Sequence, residues 1–448
     1  MRILVCIVVL LSLGVDSLYG QQSKVLSLDD CITLAMENNI ALQKAKNNSL
    51  IAQSNQFQAL MDFLPSLNAS TNYDFFFGTF FDTNAAKQVS ATTNSSNPRL
   101  SSNLTLFNGF AKQYNMKARW YQSDASLNSI EEQKLSVKSS VLGSYLNVIL
   151  DRENIKISKE RLELLEQQLD REKKRESVGV GNLEMVYNFK SQLANERLNQ
   201  VNLTNRLDSD KLTLLQALGV NISDNYQIAE YDFQGDQLLL KAEAFDDVLN
   251  SSVSFSPGIK RAQAEMQASS YQFKRARAGY MPTISLTGVY GSNYSSNGAR
   301  NPETGVLEEN ASFFDQMDFN KFKYINFSLR VPIFGNWRNR NRTQIAKINM
   351  VNSELDLKQS ELIVTNAVQQ VYMDLVSAQS TYVAARENLL ALNQSFEFVK
   401  TRHENGNTDF FTYLESLNNK NRAEIELVNA KYSIIFRKKI LDVYKGLY

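Results

Sequence analysis

Few residues in this chain could carry out metal or acid–base chemistry. Its 448 residues include one histidine, His403, and two cysteines, Cys6 and Cys31. A multi-histidine metal site and a Ser-His-Asp triad both depend on histidine placed among suitable partners. The sequence contains no motif that is typical of a catalytic pair of acids or of an activated nucleophile. We therefore predict that the protein is not an enzyme and holds no cofactor and no metal.

The cysteines and the net charge exclude further classes of protein. Cys6 lies in an N-terminal segment that we expect to be removed, and Cys31 lies within LDDCITLAMENN, away from any cleavage site. A disulfide framework and a lipid anchor on the first mature residue are therefore not expected. The 48 basic and 47 acidic residues nearly cancel, so no strong positive field favours a nucleic-acid partner.

The first 20 residues have the pattern of a cleavable secretion signal. Met1-Arg2 is followed by an apolar run from Ile3 to Leu13 and by the small residue Gly20. The run is too short to cross a bilayer, which takes about 20 residues. No later stretch is apolar enough to span as a helix, so we expect either a periplasmic protein or a membrane β-barrel.

The positions of the prolines allow long helices in two parts of the chain. Residues 99–256 and 333–448 contain no proline, and proline breaks an interior helical turn. A helix over 340–404 would be roughly 95 Å long at 1.5 Å per residue. Apolar residues recur there at heptad spacing and predict a packing seam between helices. The seam consists of Leu375, Tyr382, Leu389 and Phe396 at one position and Ala378, Ala385, Leu392 and Val399 at the other.

The chain contains an internal repeat. At an offset of 217, Pro65 matches Pro282 and Tyr73 matches Tyr290. After a ten-residue insertion between 291 and 324, the offset becomes 227. At this offset the matching pairs are Phe107 with Phe334, Tyr145 with Tyr372, Gly179 with Gly406 and Gly219 with Gly446, and the seam recurs as Val148, Ile155, Leu162 and Leu169. We predict one structural unit written twice.

Each half contains two segments that alternate between apolar and polar residues, as membrane strands do. The first strand is predicted over 66–75 and the fourth over 325–333, with shorter strands near 103–106 and 283–287. The polar stretches 76–99 and 291–323 are predicted to be solvated extracellular loops. The alternative for the strands is a half-exposed sheet of a soluble protein.

Four strands cannot close a barrel, and open strand edges are not tolerated in lipid. Two copies would give eight strands with a filled interior, whereas three give twelve with room for a lumen. The sequence therefore predicts a homotrimer whose polar strand faces line the lumen.

This arrangement resembles the TolC family of outer membrane efflux proteins. The resemblance covers essentially the whole mature chain, and the segments that carry it are LDDCITLAMENNIAL, FLPSL, YMPTISL, LTLFNGF, VPIFGNW, SVGVGNLEMV and ENGNTDFFTYLES. It implies a mixed α and β fold, in which a twelve-stranded β-barrel in the outer membrane of a Gram-negative bacterium continues into a periplasmic α-helical barrel. It also implies contact with outer membrane lipid and docking onto a periplasmic adaptor, which links the channel to an inner-membrane transporter.

The resemblance and the repeat together give the expected domain borders. Residues 1–20 are the signal peptide and 21–219 the first repeat, with a strand pair at about 64–108 and a helical hairpin at about 110–219. Residues 220–245 belong to an equatorial belt. The second repeat, 246–448, has its strand pair at about 281–334 and its hairpin at about 336–446. Single helices over 27–62 and 245–280 lead into the strands.

The two hairpin turns are the expected adaptor-docking region. Gly179 and Gly406 occupy equivalent repeat positions, where positive φ is easily accommodated. Cysteines placed beside them, at Val178 and Asn405, are expected to be accessible from the periplasm and to crosslink to an adaptor.

The resemblance further implies a periplasmic aperture that is narrowed by rings of acidic residues. Thr412 and Glu415 fall where two family rings lie, one turn apart, so one ring is absent. His403 stands at a link-forming tyrosine position and Thr408 replaces an arginine, while Glu184 on the facing turn is a candidate partner. The alternative for Glu415 is an ordinary solvated charge, and we expect His403 to be an incidental polar surface residue.

The resemblance thus predicts a passive channel of a tripartite efflux or type I secretion system, which exports small molecules or polypeptides. A periplasmic coiled-coil adaptor or scaffold is the first alternative. It should carry a compact β-rich domain between its hairpin arms, and none is visible within 110–219. A secreted hydrolase is the second alternative, and it lacks a catalytic cluster.

Overall fold

The computed structural model describes residues 24–82, 86–221, 226–231, 243–301, 303–308 and 311–448. The predicted signal peptide lies outside these residues, and so does much of the predicted belt at 220–245. The chain divides into two compact units. We call residues 48–126 and 261–358 the sheet unit and the remainder the helical unit.

In the described part of the chain, eight helices of 11 or more residues follow one another in pairs, with strands between the pairs. In chain order the elements of the first part are β1 (Lys24–Leu26), α1 (Leu28–Asn38), α2 (Ile40–Met61), β2 (Ser66–Ser70), β3 (Tyr73–Asp82), β4 (Lys87–Ser96), β5 (Arg99–Phe107), α3 (Ala111–Ser177), α4 (Leu183–Leu218) and β6 (Tyr226–Ile228). The second part contains α5 (Phe245–Phe255), α6 (Pro257–Ala278), β7 (Thr283–Gly291), β8 (Tyr294–Ser295), β9 (Ala299–Arg300), β10 (Leu307–Glu308), α7 (Phe313–Phe319), β11 (Phe322–Arg330), α8 (Arg338–Glu404) and α9 (Phe410–Lys445).

The long helices are those that the proline-free segments predict. Helices α3 and α8 have 67 residues each, and α4 and α9 have 36 each. The predicted seam is buried or half-buried throughout. Val148 and Leu375, for example, are 0% and 6% exposed. No helix in the described part of the chain is both long and apolar enough to cross a membrane.

The predicted single helices over 27–62 and 245–280 are wrong, because each is broken into two. The breaks lie at Asn39 and Ser256, whose ψ angles of 120° and 112° are far from helical values. Each residue then caps the following helix, since the Leu42 amide donates to the Asn39 side chain at 3.1 Å and the Ile259 amide to Ser256 at 3.4 Å. Such caps satisfy amides that a new helix leaves free.

The described residues of the helical unit form three apolar clusters. The largest surrounds Tyr145 and Phe436 and includes residues of α1, α3, α4 and α9. The short strands β1 and β6 pair in parallel beside it, with Leu26 opposite Ile228. A second cluster joins α5, α8 and α9 around Val248 and Leu375. The third cluster, at the ends of α3 and α8, is described with the candidate site.

The sheet unit contains a four-stranded antiparallel sheet in the order β11-β7-β5-β2. Its register places like residues opposite one another. Leu286 pairs with Phe327 and Leu104, and Thr287 pairs with Asn326 and Asn103. One face is therefore apolar and the other polar. The apolar face is solvent-exposed in the single chain, with Phe327 70% and Leu67 69% exposed.

The structure corrects the predicted strand limits. The first predicted strand, 66–75, is interrupted at Thr71 and Asn72, so that β2 and β3 belong to different sheets. The fourth ends at Arg330 rather than 333, because Pro332 cannot donate to a sheet ladder.

Both segments that were expected to be loops contain regular secondary structure. Within 76–99, β3 and β4 form an antiparallel hairpin from Tyr73↔Ser96 to Asp82↔Lys87. The aromatic residues of β3 and the threonines of β4 favour strands, although the serines and asparagines of β4 also suit a loop. Within 291–323, β8 extends this hairpin, and α7 begins with Ser312 accepting from the Asp315 amide at 3.2 Å.

Candidate functional site

The two helical hairpins end in turns of the same geometry. In the first, the Val180 amide donates to the Arg175 carbonyl at 3.0 Å, and in the second the Asn407 amide donates to the Arg402 carbonyl at 2.8 Å. Gly179 and Gly406 adopt the predicted positive φ, at +78° and +76°. These bonds satisfy the last carbonyls of α3 and α8 in the manner of a Schellman motif.

The helices that leave the turns begin with side-chain caps. The Asn182 side chain accepts from the Glu184 amide at 2.8 Å, and the Asp409 side chain accepts from the Thr412 amide at 2.9 Å. The Thr412 hydroxyl also donates to Asp409 at 2.6 Å. This hydroxyl bond is the main cause that lowers the pKa of Asp409. The caps fix where α4 and α9 start and therefore where the residues beyond the turns project.

The residues predicted for the turns and the aperture are all solvent-exposed. Val178 is 72% exposed, and Gly179, Asn405 and Gly406 are exposed beside it or at the equivalent turn. Thr412, Glu415 and Glu184 are exposed as well. Among the described residues, neither the Glu184 nor the Glu415 carboxylate forms an ion pair, and no hydrogen bond joins the two.

An apolar cluster, here called the tip cluster, lies behind the turns. Its buried members come from all four long helices and are Leu165, Leu169, Val186, Phe189, Leu193, Phe396, Phe410, Tyr413 and Leu417. Phe189 and Phe410 pack edge to face, with ring centroids 4.7 Å apart. The tip cluster therefore holds the two hairpin ends together as one body within the helical unit.

The prediction that His403 is a surface residue is wrong. His403 is only 6% exposed and stacks on the Tyr413 ring, with centroids 4.8 Å apart and planes 21° apart. Its Nδ1 lies 3.3 Å from the Thr408 carbonyl oxygen. The physical reason is heptad spacing, because His403 follows Phe396 by seven residues and continues the same seam. That spacing could have predicted its burial.

Two polar atoms in this stack have no hydrogen-bond partner among the described residues. They are Nε2 of His403 and the hydroxyl of Tyr413. Tyr413 is fully buried, and this burial raises the pKa of its hydroxyl to about 12. The tip cluster is thus mainly apolar, although Tyr413 within it and His403 stacked on Tyr413 each have a polar atom that could form a hydrogen bond.

An ion pair and a hydrogen bond join the two hairpins around the tip cluster. Arg171 of α3 contacts Glu404 of α8 at 2.8 Å, and this bond is the main cause that lowers the pKa of Glu404. Deeper in, Arg161 of α3 contacts the buried Glu196 at 3.2 Å and donates to Asn418 of α9. These partners were not predicted, since they lie on helices that only the fold brings together.

The sequence profile described as "Outer membrane efflux protein" matches residues 31–220 and 248–439, which is most of the chain. The chain belongs to the outer membrane efflux protein family. This membership confirms the predicted resemblance and assigns the chain to the outer membrane.

Individual relatives are distant. The chain is 21% identical to "Outer membrane protein TolC" of Escherichia coli over 298 residues, which is 66% of this chain and 58% of TolC. It is 24% identical to "Protein CyaE" of Bordetella pertussis over 301 residues, 67% of this chain and 60% of CyaE. The chain thus spans about three-fifths of the length of these two relatives.

Among solved structures, the outer membrane channel CmeC of Campylobacter jejuni superimposes with a TM-score of 0.80 at 18% identity. The superposition covers 94% of this chain and 85% of CmeC. It confirms the mixed and mostly helical α and β fold.

Proposed function

We propose that three copies of this chain form a passive channel through the outer membrane, which serves a tripartite efflux or type I secretion system. The observation that carries the proposal is the four-stranded sheet. Among the described residues, its outer strands β2 and β11 each pair on one side only, and its apolar face is exposed. Open edges are not tolerated in lipid, and three copies supply twelve strands that close into a barrel with a lumen.

The helical hairpins support the same function. Their helix limits follow the two sequence offsets, since α1 and α5 start 217 residues apart and α3 and α8 start 227 residues apart. This regularity supports the proposed two-fold repeat, in which 21–219 and 246–448 are equivalent and the hairpins of three copies form a periplasmic helical barrel. A signal peptide over 1–20 and a belt over 220–245 complete the proposed organisation.

A periplasmic adaptor or scaffold is disfavoured by a specific observation. Helices α3 and α4 fill residues 111–218 apart from a short turn. A compact β-rich domain between hairpin arms therefore has no place within the described residues of this segment. The exposed apolar sheet also has no role in a soluble adaptor.

The exposed hairpin turns are the proposed docking site for a periplasmic adaptor, which links the channel to an inner-membrane transporter. We infer that Gly179 and Gly406 allow the turns, and that Val178 and Asn405 face the adaptor. Single cysteines at Val178 and Asn405 should react with a membrane-impermeant maleimide only after the periplasm is opened. Labelling in intact cells would reverse this topology.

The proposed aperture is a ring of three Glu415 carboxylates, one turn beyond Thr412, with Glu184 on the facing helix as a further acidic group. Converging carboxylates raise one another's pKa and favour cations. The exposure of all three side chains in the single chain is compatible with a water-filled passage.

The trimer is the direct test of the proposed function. Outer membranes prepared without boiling should yield a band of about three chain masses that collapses to one chain mass on heating. Recovery of the chain as a monomer in the soluble fraction would overturn the proposal.

A further inference from the structure

An open cavity of about 480 Å³ lies in the sheet unit, where β7 begins and β11 ends beside α6 and α8. Four arginine side chains line it, Arg275 of α6, Arg330 of β11, and Arg338 and Arg342 of α8. None of the described residues that line it is an aspartate or a glutamate. The cavity therefore concentrates positive charge from three elements without a negative charge in its lining.

These arginines form no ion pair with a carboxylate in the described part of the chain. Arg275 donates to the Asn115 side chain at 2.9 Å, and Arg338 donates to the Gly335 carbonyl at 3.4 Å. By contrast, Arg261 of the same helix α6 is paired with Glu265 at 3.0 Å. The four guanidinium groups keep most of their donors available for a ligand.

The cavity is lined by residues from the polar face of the four-stranded sheet. Thr283 and Arg330 line it and lie opposite each other in the ladder. Arg330 shares its register with Ser328, whereas the exposed Phe327 is in the opposite register, because side chains of a strand alternate between its faces. In the proposed barrel the polar face lines the lumen, so the cavity is accessible to water and to dissolved solutes.

The start of α8 adds to the positive potential. The helix begins with Arg-Asn-Arg-Asn-Arg, and its first acidic residue is Glu354. Cations are unfavourable at a helix N-terminus, where the free amides and the helix dipole attract anions. An anion bound beside Arg338 and Arg342 would offset this unfavourable arrangement.

The chemistry of the lining indicates the class of ligand. A guanidinium group binds the oxygen atoms of phosphate or carboxylate groups through paired hydrogen bonds. Four guanidinium groups carry more charge than one monovalent anion can neutralise. A solute with several negative charges therefore matches the cavity better than a solute with one.

We propose that this cavity binds the phosphate or carboxylate groups of a multivalent, water-soluble anion while that anion is in the lumen. The proposal rests on the proposed channel function and adds a class of solute to it, the small soluble polyanions. With four arginines in each chain, three copies would place twelve of them around one lumen.

Isothermal titration calorimetry of the full chain, purified in a non-ionic detergent, tests the binding with pyrophosphate, citrate and acetate. Pyrophosphate and citrate should bind more tightly than acetate, and their binding should weaken as the salt concentration rises. The double variant Arg338→Gln with Arg342→Gln should bind pyrophosphate about ten-fold more weakly or worse, since charge-assisted hydrogen bonds are lost.

The matched control is Arg340→Gln with Lys347→Gln, which removes the same charge from the same helix α8. Neither residue lines the cavity, so this variant should bind pyrophosphate like the wild type. Equal weakening in both double variants would overturn the site, because it would show attraction to the net charge alone. Absence of binding by both multivalent anions would overturn the proposal as a whole.

A measurement on the wild type covers a variant that fails to fold. Pyrophosphate should slow the modification of Arg338 and Arg342 by hydroxyphenylglyoxal, as followed by peptide mass spectrometry, but should leave Arg340 unaffected. Equal protection of all three arginines, or no protection of any, would contradict the proposal.

A polymer attached beside the cavity tests its position in the lumen. Thr283→Cys and, as control, Ile325→Cys in the apolar register are labelled in detergent with a polyethylene glycol maleimide, while the native Cys31 is buried. The polymer at position 283 should lower the single-channel conductance in planar bilayers, whereas the polymer at position 325 should not.

The two proposals fail in different ways in this experiment. Unlabelled trimers that conduct, and whose conductance is unchanged by the polymer on Thr283→Cys, would overturn the position of the cavity in the lumen. Unlabelled trimers that do not conduct would contradict the proposed channel function, whatever the calorimetry shows about pyrophosphate.

Discussion

The two helical hairpins have the same helix lengths but different interiors. Residues at one of the two seam positions can be compared between the hairpins at the offset of 227. At three of these sites the first hairpin has a buried polar residue where the second has a small or apolar one. The pairs are Asp151 with Ala378, Ser158 with Ala385, and Glu172 with Val399. An apolar seam is therefore not required at every position for a long helix to form here.

The polar seam is stabilised by partners on α4. Asp151 contacts Arg206 at 3.2 Å, and Glu196 accepts from the Ser158 hydroxyl at 2.6 Å. Burial of a charge is costly unless it is paired. Glu196 is paired with Arg161, whereas Arg206 offsets only part of the cost of burying the Asp151 charge, because burial still raises the pKa of Asp151. Arg206 and Glu196 correspond to Ser433 and Ala423 in the second hairpin.

In the second hairpin, the small residues leave space. An open cavity of about 660 Å³ runs between α8 and α9, with Ala378 and Ala385 in its lining and Asp374 paired with Arg437 beside it. The first hairpin thus fills its interior with a charge network, and the second leaves a groove. Heptad spacing therefore determines which face of each long helix packs against its neighbour. The residue types at the seam determine whether the space between the helices is filled.

The largest loss of stability is expected when the buried Glu196 carboxylate of the first hairpin loses its ion-pair partner. Arg161→Met removes the cation beside Glu196, which is 4% exposed. An unpaired buried charge costs about 3–5 kcal/mol. Urea unfolding followed by circular dichroism should register this loss in the free energy of unfolding.

Two comparisons control this prediction. Arg197→Met breaks the exposed pair with Glu166 at 2.9 Å and should cost at most about 1 kcal/mol. The triple change Ser158→Ala, Arg161→Asn, Glu196→Ala copies residues 385, 388 and 423 of the second hairpin. This triple variant should lose less free energy of unfolding than Arg161→Met alone. A larger loss would mean that the polar network stabilises the fold, and that the unpaired charge does not explain the effect of Arg161→Met.

A smaller, pH-dependent effect is expected at Asp151. Burial, followed by the bond with Asp210, raises the pKa of this carboxyl to about 6, and Arg206 opposes the shift. The folded chain then holds a proton that the unfolded chain releases between about pH 4 and pH 6. The contribution of Asp151 to stability is therefore greatest below about pH 4 and is lost as the pH rises through 6.

Asp151→Asn should flatten this decline in the free energy of unfolding between about pH 4 and pH 6. The exposed Asp208→Asn serves as the control and should keep the wild-type slope. Parallel pH profiles for wild type and Asp151→Asn would show that the buried carboxyl ionises as in the unfolded chain.

The smallest effect is expected at the tip of the second hairpin. The Tyr413 hydroxyl has no partner among the described residues, so Tyr413→Phe should change the unfolding free energy by less than about 0.5 kcal/mol. Tyr413→Ala removes the ring from the tip cluster and should cost about 3–5 kcal/mol. A large loss in the phenylalanine variant would reveal a partner for the hydroxyl in the assembled protein.

The long helices could be predicted from the sequence because proline-free segments and heptad spacing are local signals. Features that depend on contacts with residues distant in the chain could not be predicted in this way. The serine- and threonine-rich segment of β4 looks like a loop until β3 supplies its hydrogen bonds. Glu196 looks like a surface charge until Arg161 and Ser158 meet it across two helices. The burial of His403 is a different case, because its heptad spacing from Phe396 indicates burial although its side chain is polar.

We propose that three chains form a channel with an acidic aperture at the hairpin tips. Single-channel recordings of the purified protein in planar bilayers, with wild type and Glu415→Ala compared under a salt gradient, would test this arrangement. We expect discrete, cation-selective conductance that loses selectivity and sensitivity to divalent cations in Glu415→Ala. Absence of conductance from a correctly assembled trimer would contradict the channel, and unchanged selectivity in the variant would remove Glu415 from the aperture.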